Sequence, residues 1–248
     1  MTRNIAVTLR YDGTNYHGWQ IQKNLTSVGG TVQDALSNIC EHPVTLIGCG
    51  RTDAGVHAER YTANFRTNSR IPADKLPFAL NANLPNDIAA LDARDVDMEF
   101  HATFSCVKKE YTYRLYHAPH RDPLLVTRSL HYPKKPALNV WRDTAKLFVG
   151  THDFAAVRSS SNTTVKTTIR NVYYFDIYEE YDNHFAFRVA ANGFLYNMVR
   201  AMVGTILYVG QGKIKDPLGV LKSGDRRVAG PTLPPHGLYM TGTEYLCK

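Results

Sequence analysis

Asp53 stands in the run Gly48-Cys49-Gly50-Arg51-Thr52-Asp53-Ala54-Gly55-Val56-His57-Ala58, a carboxylate set between glycines with a cation two residues before it. Two kinds of chemistry suit that pattern. An aspartate among glycines commonly forms a turn, its side chain bonding nearby backbone N–H groups. A glycine-flanked loop also lets a substrate approach the backbone closely, and Arg51 would hold the carboxylate ionised, able to act as nucleophile or base. The residue types alone leave the choice open. His57 invites an Asp–His pair, but no serine or cysteine partner is identifiable, so a structural histidine is expected.

A second candidate is Lys108-Lys109-Glu110-Tyr111-Thr112-Tyr113-Arg114-Leu115-Tyr116. Cations interleaved with aromatic rings suit a flipped or single-stranded base: rings stack on it while Lys and Arg meet phosphates. Tyr111, Tyr113 and Leu115 share one face of such a strand, which equally describes ordinary sheet core. A third is Arg200, at the edge of the apolar stripe Leu195, Met198, Val199, Met202, Val203, Ile206 and Leu207. From there the guanidinium can face a cleft or simply snorkel to water. The Ser/Thr/Asn-rich segment from Arg158 to Thr168, with Lys166, reads as a plain loop.

The elements that must position these residues follow from periodicity. Ile5, Val7, Leu9 and Tyr11 alternate with Ala6, Thr8 and Arg10, the pattern of a half-buried strand ending at Asp12-Gly13. Thr31 and Asp34 read as a capping pair for a short helix to Cys40, and Val44–Cys49 as a strand feeding the Asp53 loop. Further strands are predicted at Tyr61–Phe65, Ile88–Leu91, Tyr111–Tyr116, Val172–Tyr178, Phe185–Ala191 and Leu238–Tyr245. Helices are predicted at Val140–Val149, stopped by Gly150, and along the Leu195–Leu207 stripe. The class is mixed α+β.

Other chemistries lack their signatures. Cys40, Cys49, Cys106 and Cys247 lie far apart with no C-x-x-C pair, so reduced structural thiols are expected. No metal-ligand spacing or nucleotide-cofactor motif occurs, so neither metal nor cofactor is predicted. The best apolar stretch, Leu195–Val209, carries Asn197 and Arg200, and Met1-Thr2-Arg3-Asn4 is unlike a signal peptide, so the expectation is a cytoplasmic protein without a membrane span. Twenty-nine Lys+Arg against 22 Asp+Glu leave a net charge of +7, which favours a polyanionic partner without naming one.

Taken together, these strings resemble the TruA-type tRNA pseudouridine synthases. Tyr11-Asp12-Gly13-Thr14-Asn15-Tyr16-His17-Gly18-Trp19-Gln20 is similar to the family's opening strand and turn, Thr31-Val32-Gln33 to the start of its first helix, and Gly50–Ala58 to its catalytic motif. Phe100-His101-Ala102-Thr103-Phe104-Ser105, Tyr111-x-Tyr113, Asn197-Met198-Val199-Arg200, Ala229-Gly230-Pro231-Thr232 and Gly237-Leu238-Tyr239 follow in the family's order. The resemblance implies an α+β pseudouridine synthase fold, with a central, largely antiparallel sheet and two related halves, 1–105 and 106–248, flanking a basic cleft. It also implies that Asp53 is the catalytic aspartate, Arg200 the cation pairing with it, Tyr111 the ring packing on the uracil, and Arg51 a holder of the flipped-out nucleotide. The implied substrate is uridine at positions 38, 39 and 40 of tRNA, and the implied assembly a homodimer. A synthase acting on ribosomal or other structured RNA, and a noncatalytic RNA-binding or tRNA-folding protein, are the alternatives.

Two departures bear on the target. A run usually similar to Thr-Gly-Gln stands here as Glu59-Arg60-Tyr61, and the first helix reads shorter than the family pattern. Because no metal-ligand spacing is present, uridine isomerisation is expected to persist in excess chelator. A strict divalent-ion requirement, measured on tRNA that stays folded without the ion, would contradict that.

Overall fold

The computed structural model describes residues 2–160 and 165–246. Residues 161–164 of the Ser/Thr/Asn-rich segment and Cys247 lie outside that description. The chain divides into two compact units, Met1–Val107 with Met240–Lys248, and Lys108–Tyr239.

The first unit contains β1 (Arg3–Tyr11), α1 (Val28–Cys40), β2 (Ile47–Gly48), β3 (His57–Thr67), α2 (Leu76–Asn81) and β4 (Ile88–Val96). β1 is flanked by β3 and β4, antiparallel to both, in registers that set Val7 opposite Ala63 on one side and Ala93 on the other. Ile5, Val7, Leu9, Tyr61 and Phe65 are almost wholly buried, as the period-two pattern requires. A polar pair is buried beside them. Asn64 Nδ2 donates to Asn4 Oδ1 at 2.9 Å, Asn4 Nδ2 donates to the Asp97 and Phe100 carbonyls, and Asn64 Oδ1 accepts from Ala102 N at 2.8 Å. Two side-chain amides thus satisfy the backbone of a loop that has no strand partner there.

Two expectations for this unit need correction. α1 begins at Val28, not Thr31: Ser27 is the N-cap, its Oγ accepting from Gly30 N, while the Thr31 hydroxyl donates to the Ser27 carbonyl inside the first turn. The strand expected over Val44–Cys49 shrinks to β2. Its would-be ladder donors are taken by α1 side chains, Val44 N by Ser37 Oγ and Leu46 N by Gln33 Oε1, each at 3.1 Å.

The second unit contains β5 (Cys106–Tyr116), whose first two residues belong to the first unit, followed by β6 (Leu130–His131), α3 (Leu138–Lys146), β7 (Gly150–Asp153), β8 (Ile169–Tyr181), β9 (His184–Ala191), α4 (Met198–Gly210) and α5 (Pro217–Ser223). Its strands run in the order β5-β9-β8-β7, antiparallel throughout, with β6 joining β5 in parallel. Trp141 of α3, fully buried, packs edge-on to Phe185 with ring centroids 5.7 Å apart and against Phe187 at 5.5 Å. α3 stops at Lys146 because Leu147, Phe148 and Val149 tighten to bonds three residues back, and Gly150, at φ +106°, opens β7 instead of only ending the helix. α4 begins at Met198, three residues inside the predicted stripe.

The chain then returns to the first unit along β10 (Leu238–Tyr245), whose residues from Met240 onward belong to that unit and which lies beside β3 in the order β4-β1-β3-β10. The class is mixed α+β, as expected. Among the described residues no helix is long and apolar enough to cross a membrane.

The Asn4–Asn64 pair generates a stability prediction. Asn64→Ala orphans the buried Ala102 N–H and one Asn4 bond, and is expected to lower unfolding free energy by about 1–3 kcal/mol for each group left unsatisfied. Urea denaturation reads this directly, and an unchanged midpoint would show that the pair has no structural role.

Candidate active site

Asp53 lies between the ends of β2 and β3, at the first position of a tight turn. The turn is closed by backbone: Val56 N donates to the Asp53 carbonyl at 3.1 Å. Gly55, third in the turn, has φ +76°, the left-handed conformation a type II turn needs there. Thr52 is buried, Asp53 is half-buried, and Ala54 and Arg51 are exposed.

The segment after β1 is laid against this turn at backbone distance. Trp19 N donates to the Thr52 carbonyl at 3.2 Å and Gly55 N to the Tyr16 carbonyl at 3.3 Å. Gly18 has φ +82°, and a Cβ there would collide with the Thr52 carbonyl oxygen; a Cβ on Gly13 would collide with that of Val56. The opening motif therefore needs both glycines to hold the loop.

Side chains fix the remaining sides. The Tyr11 hydroxyl, its ionisation suppressed by full burial, shares a 2.9 Å hydrogen bond with Thr52 Oγ1. Trp19 stacks on Tyr61, ring centroids 4.0 Å apart, and the Tyr61 hydroxyl donates to the Gly50 carbonyl. Within the departure Glu59-Arg60-Tyr61, Tyr61 is thus a buried brace of the loop, and only Arg60 is exposed. His57 is buried, with Nδ1 3.0 Å from Asp12 Oδ1 and 3.1 Å from Gly13 N. A protonated ring pairs with Asp12, while a neutral ring can accept from Gly13. Either way it ties β3 to the turn after β1, the structural part expected of it.

In the second unit, Tyr111 of β5 pairs with Val189 of β9 and is 8% exposed, with Phe194 edge-on at 5.3 Å. Tyr113 is deeper; its hydroxyl donates to the Pro234 carbonyl at 2.9 Å, and burial pushes its phenol up against the opposing pull of the Arg200 charge. Arg200, in the first turn of α4, is held at two points: Nε donates to the Leu233 carbonyl at 2.6 Å and Nη1 to Asn197 Oδ1 at 2.5 Å. Asn197 sits at φ +61° and also donates to Ser159 Oγ.

Residue types alone missed Asn197 and Leu233. Asn197 had a signal, since a left-handed residue just before a helix favours Asn. The Leu233 carbonyl had none. Its placement follows from Gly204 of α4, where a Cβ would run into the Pro231 carbonyl, and from Gly230 N, which donates to Thr205 Oγ1 at 2.9 Å. The structure thus places Asp53 and Arg51 on one loop of the first unit, and Tyr111 and Arg200 in the second. Among the described residues no group of three or more His, Cys, Asp and Glu is placed to hold a metal ion.

Comparison with known proteins finds likeness over nearly the whole chain. A family model described as tRNA pseudouridine synthase matches residues 7–105 and 144–245. The chain is 43% identical over 247 residues to tRNA pseudouridine synthase A of Ruminiclostridium cellulolyticum, covering 98% of this chain and all of that one. It is 45% identical over 245 residues to the protein of the same name from a Thermoanaerobacter species, again over 98% of this chain and all of the other. Among solved structures, a chain of a Cbf5-Nop10-Gar1 complex is similar at 14% identity and a TM-score of 0.41, covering 95% of this chain and 57% of that one, a likeness too weak to carry any argument. On the family match and these full-length identities, the chain belongs to the tRNA pseudouridine synthase family.

Proposed function

We propose that this protein isomerises uridine to pseudouridine in tRNA, with Asp53 as the essential carboxylate. The observation that carries the reading is the Asp53 turn: a half-buried aspartate on a loop that backbone, two glycines and three aromatic rings hold in one conformation. Holding a reacting group in place beforehand removes the entropy of positioning it from the barrier.

The reaction breaks the N1–C1′ bond, turns the uracil, joins C5 to C1′ and releases the C5 proton. Asp53 serves by attacking C1′, by attacking C6, or by removing a proton at C2′; all three require the ionised carboxylate. Arg200 is assigned as the cation that keeps it ionised, Tyr111 as the ring against the uracil, and Arg51 as a holder of the extruded nucleotide. These roles rest on the family resemblance, as do the target positions 38, 39 and 40, the homodimer and a cytoplasmic location. The halves 1–105 and 106–248 act as one catalytic unit. Extruding a stacked base costs a few kcal/mol, which phosphate contacts from the basic surface offset, so binding weakens steeply with salt.

Asp53→Asn preserves size and removes charge. It is expected to leave the fold and tRNA affinity largely intact and to abolish turnover; substantial isomerisation by the purified variant would reject the mechanism. Tyr111→Ala is expected to lose roughly 1–3 kcal/mol of stacking as well as rate. Tyr111→Phe separates the ring from its hydroxyl: retained binding with a depressed single-turnover rate assigns the hydroxyl to proton transfer, whereas unchanged kinetics in Tyr111→Ala would remove the residue from the site.

A further inference from the structure

Phe104 is the most exposed aromatic ring among the described residues, at 83%. It is not on a loose loop. Ser105 N donates to the His101 carbonyl at 2.9 Å, His101 N donates to Ser105 Oγ at 3.1 Å, and Thr103 Oγ1 donates to the Gly48 carbonyl at 2.6 Å. The Tyr245 hydroxyl of β10 donates to the Ala102 carbonyl, and the Asn4–Asn64 pair holds the same segment from below. A rigid turn thus presents a phenyl ring to solvent.

Beside it opens a cavity of about 760 Å3, lined by Thr45, Ile47, Arg66, Glu99, His101 and Phe104 among others. That volume falls in the roughly 300–1,000 Å3 range of small-ligand clefts. The His101 ring lies against Phe104, centroids 4.3 Å apart. His101 Nδ1 accepts from Thr103 N at 3.2 Å and Phe104 N at 3.3 Å, so the neutral ring carries its proton on Nε2 and is a fixed donor there. Arg66 is exposed and anchored through Nη2 to the Met98 carbonyl.

We infer that this cavity binds an unpaired nucleotide of the RNA substrate, its base stacked on Phe104, a base carbonyl meeting His101 Nε2–H and its phosphate meeting Arg66. Each component has a use with a nucleotide: an open π-face, a donor of set tautomer, and a planar cation. Glu99 stands against a second phosphate there, which fits one nucleotide better than a run of backbone. The turn is bonded at Gly48 to the strand that feeds the Asp53 loop, so occupancy would steady that strand. The inference rests on the RNA substrate proposed above.

The test measures binding of tRNA, and of a short unstructured oligouridylate, to the full-length protein and its Phe104 variants. Because the ring is exposed, Phe104→Ala is expected to fold with an unchanged melting temperature and to weaken binding of both probes by about 5- to 150-fold, the equivalent of one stacked base. Phe104→Leu, apolar without a π-face, is expected to lose as much, and Phe104→Trp to restore wild-type affinity; in turnover the loss falls on KM rather than kcat. Affinity within twofold of wild type in Phe104→Ala would overturn the site, as would a Leu variant that binds as well as Phe. Wild-type protein that binds oligouridylate through Phe104 yet converts no uridine would instead reject the proposed activity and leave this site standing.

Discussion

The first unit depends on a close backbone approach. Residues 16–19 meet residues 52–55 through the Trp19–Thr52 and Gly55–Tyr16 hydrogen bonds, with no room for a side chain at Gly18. Neither segment is regular structure, and each would otherwise carry backbone groups seeking partners. Joined, they satisfy one another and define where Asp53 stands. The buried Tyr11–Thr52 bond, the Trp19–Tyr61 stack and His57 beside Asp12 all reinforce that one contact from different sides.

The second unit uses the same device for its cation. Gly204 lets α4 lie directly against Pro231, and this packing accompanies the Leu233 carbonyl's hydrogen bond to Arg200 Nε. Asn197, in a left-handed conformation, supplies the second anchor from the helix start. A guanidinium in the first turn of a helix faces the positive end of the helix dipole. The Leu233 carbonyl and Asn197 Oδ1 help to offset that disadvantage and aim the group. In both units, then, glycines serve close packing, Gly13 and Gly18 in a turn and Gly204 within a helix, and each charged side chain stands beside such a contact.

Much of this was legible in the residues where local pattern and tertiary demand agree. Leu238–Tyr245 forms the strand predicted for it, residue for residue, and the Asp53 loop, the Tyr111 strand and the Arg200 helix fall on the element types read from the residues. The misreadings have a common cause. Gly29 and Gly30 disguise the first turn of α1 because glycine disfavours helix; yet Gly29 is required there, since its N–H donates to the Trp19 carbonyl and a Cβ would meet that oxygen at 2.5 Å. Val44–Leu46 has the composition of a strand, but Ser37 and Gln33 reach across from α1 and take its donors. Long-range bonds of that sort leave no periodic trace, and neither does a carbonyl such as that of Leu233. The resemblance to the family came instead from the order of whole motifs, several of which the structure shows to be packing contacts.

The proposed activity is the conversion of uridine within tRNA through the braced aspartate loop. The most direct measurement is release of tritium from tRNA carrying uridine labelled at C5, with the modified nucleotide then mapped. Conversion of uridine within tRNA releases tritium to solvent at a one-to-one ratio with the pseudouridine formed. Tritium retained in the RNA, with the purified protein folded and tRNA-bound, would contradict it.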